Sequence, residues 1–379
     1  MLTTTPLLGT RVLRAIAAAI LAACLAGSPA LGDDDDGQGA GADAGGDGST
    51  GGGFPGLGPN PGRIQLPGAV QRLFAPAPAR PGPDLVVAGL SADAVARLRG
   101  AGFAVLAERS GLARVRGPSG QSAAAALARL RALAPTALAD RNHRYRLAAE
   151  DAPAPDAAAP HAGAIGCGVP AGLLIALVDT GVDPRHPSLA GMIERQEVFR
   201  SPGRRAARAS HGTAVAVRLA TAVPGARIAI LDAFHLDSAG DAADAFDVAA
   251  AVSRTAEIGA QIANLSFVGP RNAVLDRVGS EAASAGVTFV AAAGNDGPRA
   301  RPLYPAAHDW TLAVAAVDAR GRPWPRSAAG EHIAFSALGV GVPVPPASGG
   351  RPRLWSGTSV AAPMVAAALA RLPERGALQ

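Results

Sequence analysis

The chain has 379 residues, with 35 basic side chains, all of them arginine, against 30 acidic ones, for a formal net charge of +5. That surplus is small for the length, and no arginine block is interleaved with aromatic residues, which argues against nucleic-acid binding. Exclusive use of arginine is more readily a mark of a GC-rich genome than of a function.

Residues 1–32 read as an export signal: Arg11 and Arg14 precede an apolar run at 15–26, followed by small residues and Pro29. The run is too short and alanine-rich for a membrane span. Cys24 closes the stretch Leu21-Ala22-Ala23-Cys24, which resembles a bacterial lipobox; lipidation there and simple cleavage nearer Ala30 or Gly32 are equally compatible with the sequence. Cys167 then stands alone in the processed chain, as a small apolar residue. Residues 33–83 are Gly- and Pro-rich and offer little apolar surface to offset the entropy of ordering, so they read as a spacer. The run Asp33-Asp34-Asp35-Asp36 lacks the ligand spacing of a calcium loop and reads as a solvated acidic patch.

Periodicity returns at residue 84. Leu85-Val86-Val87 predicts a strand, Ser91 caps a predicted helix through Ala94, Val95 and Leu98, and Gly100 and Gly102 stop it. Residues 103–106 and 112–115 predict two strands about a turn at Ser110-Gly111, 122–133 an alanine-rich helix, and 136–147 a last strand. The order βαββαβ is that of a small ferredoxin-like α+β domain over 84–147. It carries a net positive charge and is followed at 148–164 by a Pro/Ala-rich segment that reads as an exposed linker open to proteolysis.

From residue 165 to 379 the pattern is α/β. Continuous apolar runs at 173–178, 228–231, 262–265, 287–292 and 312–317 alternate with helical stretches at 213–222, 242–258 and 274–285. That alternation predicts a parallel sheet covered by helices on both faces.

Four short motifs sit at the ends of these elements: Leu177-Val178-Asp179-Thr180-Gly181, Ser210-His211-Gly212-Thr213, Ala292-Ala293-Gly294-Asn295 and Ser356-Gly357-Thr358-Ser359. Taken one at a time, Asp179 and Ser359 could be helix caps, His211 a core histidine and Asn295 a turn residue. Together they supply an orienting carboxylate, a general base, a side-chain donor for an oxyanion and a hydroxyl nucleophile, the parts an acyl-transfer site needs. An α/β-hydrolase esterase would place its histidine after the nucleophile, whereas the last histidine here is His332. A sedolisin-type peptidase would use a carboxyl base in place of His211.

In this order and spacing, the four motifs resemble those of the subtilase (subtilisin-like serine protease) family, over roughly 173–372. The resemblance implies a serine endopeptidase with Asp179, His211 and Ser359 as triad and Asn295 at the oxyanion hole; a catalytically silent subtilase-fold binding module is the alternative. It also implies that Ser266, Phe267 and Val268 form a substrate-binding strand, with Ala292, Ala293 and Gly294 as the opposite wall. Val268 stands where the family often has glycine, so the cleft is expected to be narrow. The 84–147 layout resembles the family's inhibitory prodomain, which implies an exported zymogen with its own prodomain and protein or peptide substrates as partners. Its location would be periplasmic, extracellular or, through Cys24, lipid-anchored at a bacterial envelope. No cofactor is implied for catalysis, and no convincing calcium loop is found. Twenty residues follow Ser359, fewer than the family commonly carries, which implies a core more open on one side.

Overall fold

In the computed structural model, the residues described are 81–148, 150–151, 170, 172–346 and 351–372. The signal-like segment with Cys24, most of the spacer and Cys167 lie outside them.

The N-terminal domain has the expected order: β1 (Asp84–Ala88), α1 (Ala92–Gly100), β2 (Ala104–Arg109), β3 (Leu112–Arg116), α2 (Ala123–Leu133) and β4 (Leu138–Arg141). The strands form an antiparallel sheet in the order β2-β3-β1-β4. Serines start both helices, Ser91 Oγ accepting from Ala94 N at 3.2 Å and Ser122 Oγ from Ala125 N at 3.1 Å. Alternation along β1 divides its side chains between two cores. Leu85 and Val87 pack with Leu98, Phe103 and Leu130 in the domain's own core, while Val86 and Ala88 join the core of the larger domain.

Sequence reasoning treats 136–147 as one strand, but the structure divides it: after β4, the chain leaves the domain as β5 (Arg144–Leu147) and then pairs again as β6 (Glu150–Asp151). The segment read as an exposed linker thus begins in structured chain, with Ala148 fully buried.

The larger domain is built on seven strands: β7 (Leu174–Asp179), β8 (Ile193–Val198), β9 (Arg227–Asp232), β12 (Ile262–Leu265), β14 (Thr288–Ala292), β15 (Thr311–Val317) and β16 (Ile333–Leu338). They lie in the order β16-β15-β14-β12-β7-β9-β8, every pairing parallel. Smaller strands complete the domain: β10 (His235–Asp237), β11 (Gly240–Asp244), β13 (Phe267–Val268), β17 (Val342–Val344) and β18 (Arg353–Ser356). Its helices are α3 (Ser210–Ala222), α4 (Ala245–Glu257), α5 (Ala273–Ser284) and α6 (Thr358–Ala370). Leu174, Ala176 and Val178 of β7, with Ala229, Leu231, Ala263 and Leu265, share one core with α4 and α5. α3 and α6 pack on each other and against the sheet. Because β7 has β9 on one side and β12 on the other, the strand order reverses at its carboxyl end, where open α/β sheets form their sites.

The N-terminal domain docks on the starts of α4 and α5. Asn142 Oδ1 accepts from Phe246 N at 2.9 Å, His143 O from Ala245 N at 2.8 Å, and Asp140 Oδ2 from Ala273 N at 2.8 Å. Helix starts leave such amides without intrahelical acceptors, so the docked domain completes both helices. The expected helix at 242–258 begins later for a related reason: residues 240–244 are β11, which takes β5 as its neighbour.

Candidate active site

Asp179 is the last residue of β7, just before the chain turns away from the sheet, and is 1% exposed. Its Oδ1 lies 2.7 Å from His211 Nδ1 and also accepts from Thr180 N at 2.7 Å. His211 lies in the first turn of α3, which Thr180 steadies by accepting Gly212 N on Oγ1 at 2.9 Å. Trp355 stands edge-on to the imidazole at 6.1 Å between centroids. The carboxylate fixes Nδ1 as the protonated nitrogen and leaves Nε2 with its lone pair free. Nε2 and Ser359 Oγ are both buried, with no hydrogen-bond partner among the described residues. Buried polar atoms normally find partners, which makes both atoms candidates for chemistry.

Ser359 is the second residue of α6. Gly357, immediately before the helix, has φ 154 and ψ 161, a conformation open essentially only to glycine. It brings the helix start, whose first amides have no intrahelical acceptor, up to the site.

Asn295 follows β14, and its amide orientation is set by the network: Oδ1 accepts Thr358 N and Thr358 Oγ1, both at 3.0 Å. Nδ2 is thereby turned outward and donates to the carbonyl oxygen of Ala148 at 2.7 Å. Ser359 N donates to the same oxygen at 3.1 Å. Thr358 was not singled out from the sequence. Its place between Gly357 and Ser359 is visible there, but its task, clamping Asn295 and accepting Gly294 N on Oγ1 at 3.0 Å, depends on tertiary contact.

The chain that brings Ala148 here is β5, which lies between β11 and β13 in the antiparallel order β10-β11-β5-β13. Leu147 faces Phe267 and Arg146 faces Val268, and Ala148 N donates to Ser266 O at 3.1 Å. Ser266 Oγ in turn donates to Ser359 O at 3.0 Å and accepts from Asn264 Nδ2 at 2.8 Å, which ties the strand to the helix of Ser359. On the far side of Ala148 the backbone pairs once more, β6 against β18 through Glu150 opposite Ser356 and Asp151 opposite Trp355.

Tyr145 is fully buried, edge-on to Phe267 at 5.7 Å, with its hydroxyl donating to Pro270 O at 3.0 Å. Burial and the nearby Asp140 charge raise its hydroxyl pKa far above the ordinary value. The pocket exists because residue 269 is glycine: a Cβ there would lie 2.4 Å from the Tyr145 ring.

Of the two predicted walls, Ser266, Phe267 and Val268 directly hold the tail of the N-terminal domain, residues 144–148. Gly294 approaches from the other side, where a Cβ would lie 3.6 Å from Val268 Cγ1 and 3.0 Å from Leu303 Cδ1. Val268 and Leu303 thus close in on the glycine, while the small residue Ala148 is itself fully buried. Ala292 and Ala293 are fully buried at the end of β14.

His235, Asp244 and Asp247 bring ligand-type atoms within 4.8 Å of one another. Their carboxylates are already engaged, Asp244 with Arg204 at 2.9 Å and Arg114 at 3.8 Å, and Asp247 with Ser201 N at 3.1 Å and Ser201 Oγ at 2.9 Å. Two guanidinium groups supply the positive charge there. Among the described residues no helix is long and apolar enough to cross a membrane.

Residues 171–377 match the subtilase family. The thermophilic serine proteinase of Bacillus sp. (strain AK1) is 32% identical over 214 residues, covering 53% of this chain and 52% of its own length. Thermitase of Thermoactinomyces vulgaris is 32% identical over 215 residues, covering 54% of this chain and 76% of its own. Fervidolysin of Fervidobacterium pennivorans, a keratinolytic enzyme related to subtilisin, has a similar fold, with a TM-score of 0.61 at 19% identity over 77% of this chain and 54% of its own. The chain thus spans about half the length of the thermophilic proteinase and of the fervidolysin structure.

Proposed function

The chain belongs to the subtilase family, and on that premise we propose that it is a serine endopeptidase made as a self-blocked precursor whose first substrate is its own Ala148–Ala149 bond. Ser359 Oγ attacks the carbonyl carbon of Ala148 while His211 Nε2 takes the hydroxyl proton. Asp179 holds Nδ1–H and stabilises the imidazolium that forms. The tetrahedral oxyanion takes the position of Ala148 O, facing Asn295 Nδ2 and Ser359 N, two donors already in place before charge develops. His211 then protonates the departing amine of Ala149, and water, activated by the same imidazole, releases the acyl group from Ser359. No step calls for a metal or an organic cofactor.

The observation that carries this reading is the seat of the Ala148 carbonyl between those two donors, with chain paired on both sides of the bond. Main-chain pairing of this kind grips an extended segment whatever its side chains, as strand addition does in peptide recognition. Residues 84–147 then act as a prodomain: after the cut they remain docked through β5 and block the cleft until displaced or digested. Export by the N-terminal signal, with or without lipidation at Cys24, would deliver the enzyme to protein or peptide substrates outside the cytoplasm.

Expression of the full chain tests this. The wild type should convert to a form whose N-terminus, read by mass spectrometry, is Ala149, and a fluorophosphonate should label Ser359. Ser359→Ala should stay uncut and unlabelled. Conversion of Ser359→Ala at the wild-type rate would remove Ser359 from the chemistry.

A further inference from the structure

Backbone pairing explains how the cleft holds a strand but not which strand it prefers, because those hydrogen bonds are blind to side chains. Two carboxylates on opposite walls of the cleft add a side-chain reading. Asp237, at the turn between β10 and β11, faces Arg144: Nη2 donates to Oδ1 at 2.8 Å and Nη1 bonds Oδ2, a two-pronged contact. Ala239 N also donates to Asp237 Oδ1 at 2.8 Å, which holds the carboxylate at the turn. On the other wall Asp296, next to Asn295, accepts from Arg146 Nη2 at 2.5 Å. Between the two arginines Tyr145 turns inward to its pocket, as alternation along an extended strand requires. The tail arginines are the ion-pair partners that Asp237 and Asp296 have among the described residues, so both carboxylates lose their counter-charge when the tail departs.

We propose that Asp237 and Asp296 are specificity-determining residues that select arginine at the fifth and third positions before the cut bond. The substrates of the mature enzyme are then extended segments of the form arginine, aromatic, arginine, any residue, alanine, with arginine in preference to neutral or acidic residues at those two places. The proposal rests on the protease reading above. The two sites differ in kind. The fork of a guanidinium matches both oxygens of Asp237, which lysine cannot reproduce, whereas the single bond at Asp296 leaves lysine a fair substitute. The pairs are partly solvated, with side-chain exposures of 44% and 21% for Arg144 and Asp237 and 47% and 46% for Arg146 and Asp296. Each preference is therefore modest and falls with salt.

The test uses enzyme matured from the full chain and quenched-fluorescent peptides based on residues 144–151. Alanine in place of either arginine should lower kcat/KM by roughly 1.5- to 5-fold, the range of a partly exposed ion pair. Glutamate at both places should lower it on the order of tenfold or more, and added salt should narrow every gap. Asp237→Asn should abolish the preference at the fifth position alone, and Asp296→Asn that at the third alone. Equal kcat/KM for arginine, alanine and glutamate peptides would overturn the proposal while leaving the protease reading intact. A preference that survives undiminished in both Asn variants would overturn the assignment to these carboxylates. If no peptide is cut and a fluorophosphonate fails to label Ser359, the protease reading beneath the proposal is what has failed. The peptide arm needs no enzyme variant, so it decides the matter even if a substituted chain does not fold.

Discussion

Asn295 is held at both ends of its amide, Oδ1 by two groups of Thr358 and Nδ2 by the carbonyl oxygen of Ala148. A donor fixed in this way costs no reorganisation when the carbonyl oxygen becomes an oxyanion, and its bond strengthens as charge develops. Asn295→Ala should therefore lower kcat by about 10² to 10³, by the precedent of the corresponding donor in subtilisin, with little change in KM. Thr358→Val should cost less, because Thr358 N still holds Oδ1. Steady-state kinetics on one peptide measures both, and normal turnover in Asn295→Ala would reduce the residue to a turn former. Asp179, His211, Asn295 and Ser359 stand out in the sequence as a set because the acyl-transfer chemistry proposed for them would demand particular residue types at strand ends and helix starts. Thr358 and Asp296 sit beside two of them and are not legible in the same way. Their work is to clamp a side chain and to hold an opposite charge, neither of which leaves a spacing to read.

At the scale of elements, the long buried strands announced themselves as continuous apolar runs, whereas β8 and β16 did not. β8 reads Ile-Glu-Arg-Gln-Glu-Val and lies at one edge of the sheet, where charged side chains reach water and guard against strand addition. β5 was the harder case. No glycine or proline separates it from β4, and its identity as a separate strand comes from partners about 100 residues away. What fixes its register is the Tyr145 pocket. An alanine at position 269 would place a methyl carbon 2.4 Å from Tyr145 Cδ1 and 2.7 Å from Cε1, so ring and methyl cannot coexist. Gly269→Ala should expel Tyr145, forfeiting about 1.5 to 3 kcal/mol of aromatic burial, and slow conversion at Ala148. Adding Tyr145→Ala should restore part of the rate by removing the clash. Gel-based conversion rates of the full chain decide this. Unchanged conversion in Gly269→Ala would mean that Tyr145 does not anchor the tail.

Across the whole molecule the small domain and the large one share a core and share charges. Val86, Ala88 and Leu112 pack with α4 and α5, and Arg114 of β3 reaches across to Ser201 Oγ at 3.2 Å while pairing with Asp84 on its own sheet. Ser201 is in turn held by Asp247, which is fully enclosed at the start of α4. Burial raises the Asp247 carboxyl to about 6, opposed by the two bonds from Ser201, assisted by repulsion from Asp244 and eased by Arg114. A carboxyl raised in the folded state favours folding through its protonated form. That contribution is fully present below the unfolded value near 4 and is lost as the pH rises through about 6. A shift of this size corresponds to at most about 3 kcal/mol, at 1.36 kcal/mol per unit. Asp247→Asn keeps an acceptor for Ser201 N and cannot ionise. In the Ser359→Ala background, where the two domains stay joined, it should stabilise the chain above pH 6, leave it little changed near pH 4, and flatten the slope between. Thermal unfolding of the two chains at pH 4, 5, 6 and 7 reads this directly: a Tm difference that does not grow from pH 4 to pH 7 would show that Asp247 carries no pH-dependent cost in the docked precursor.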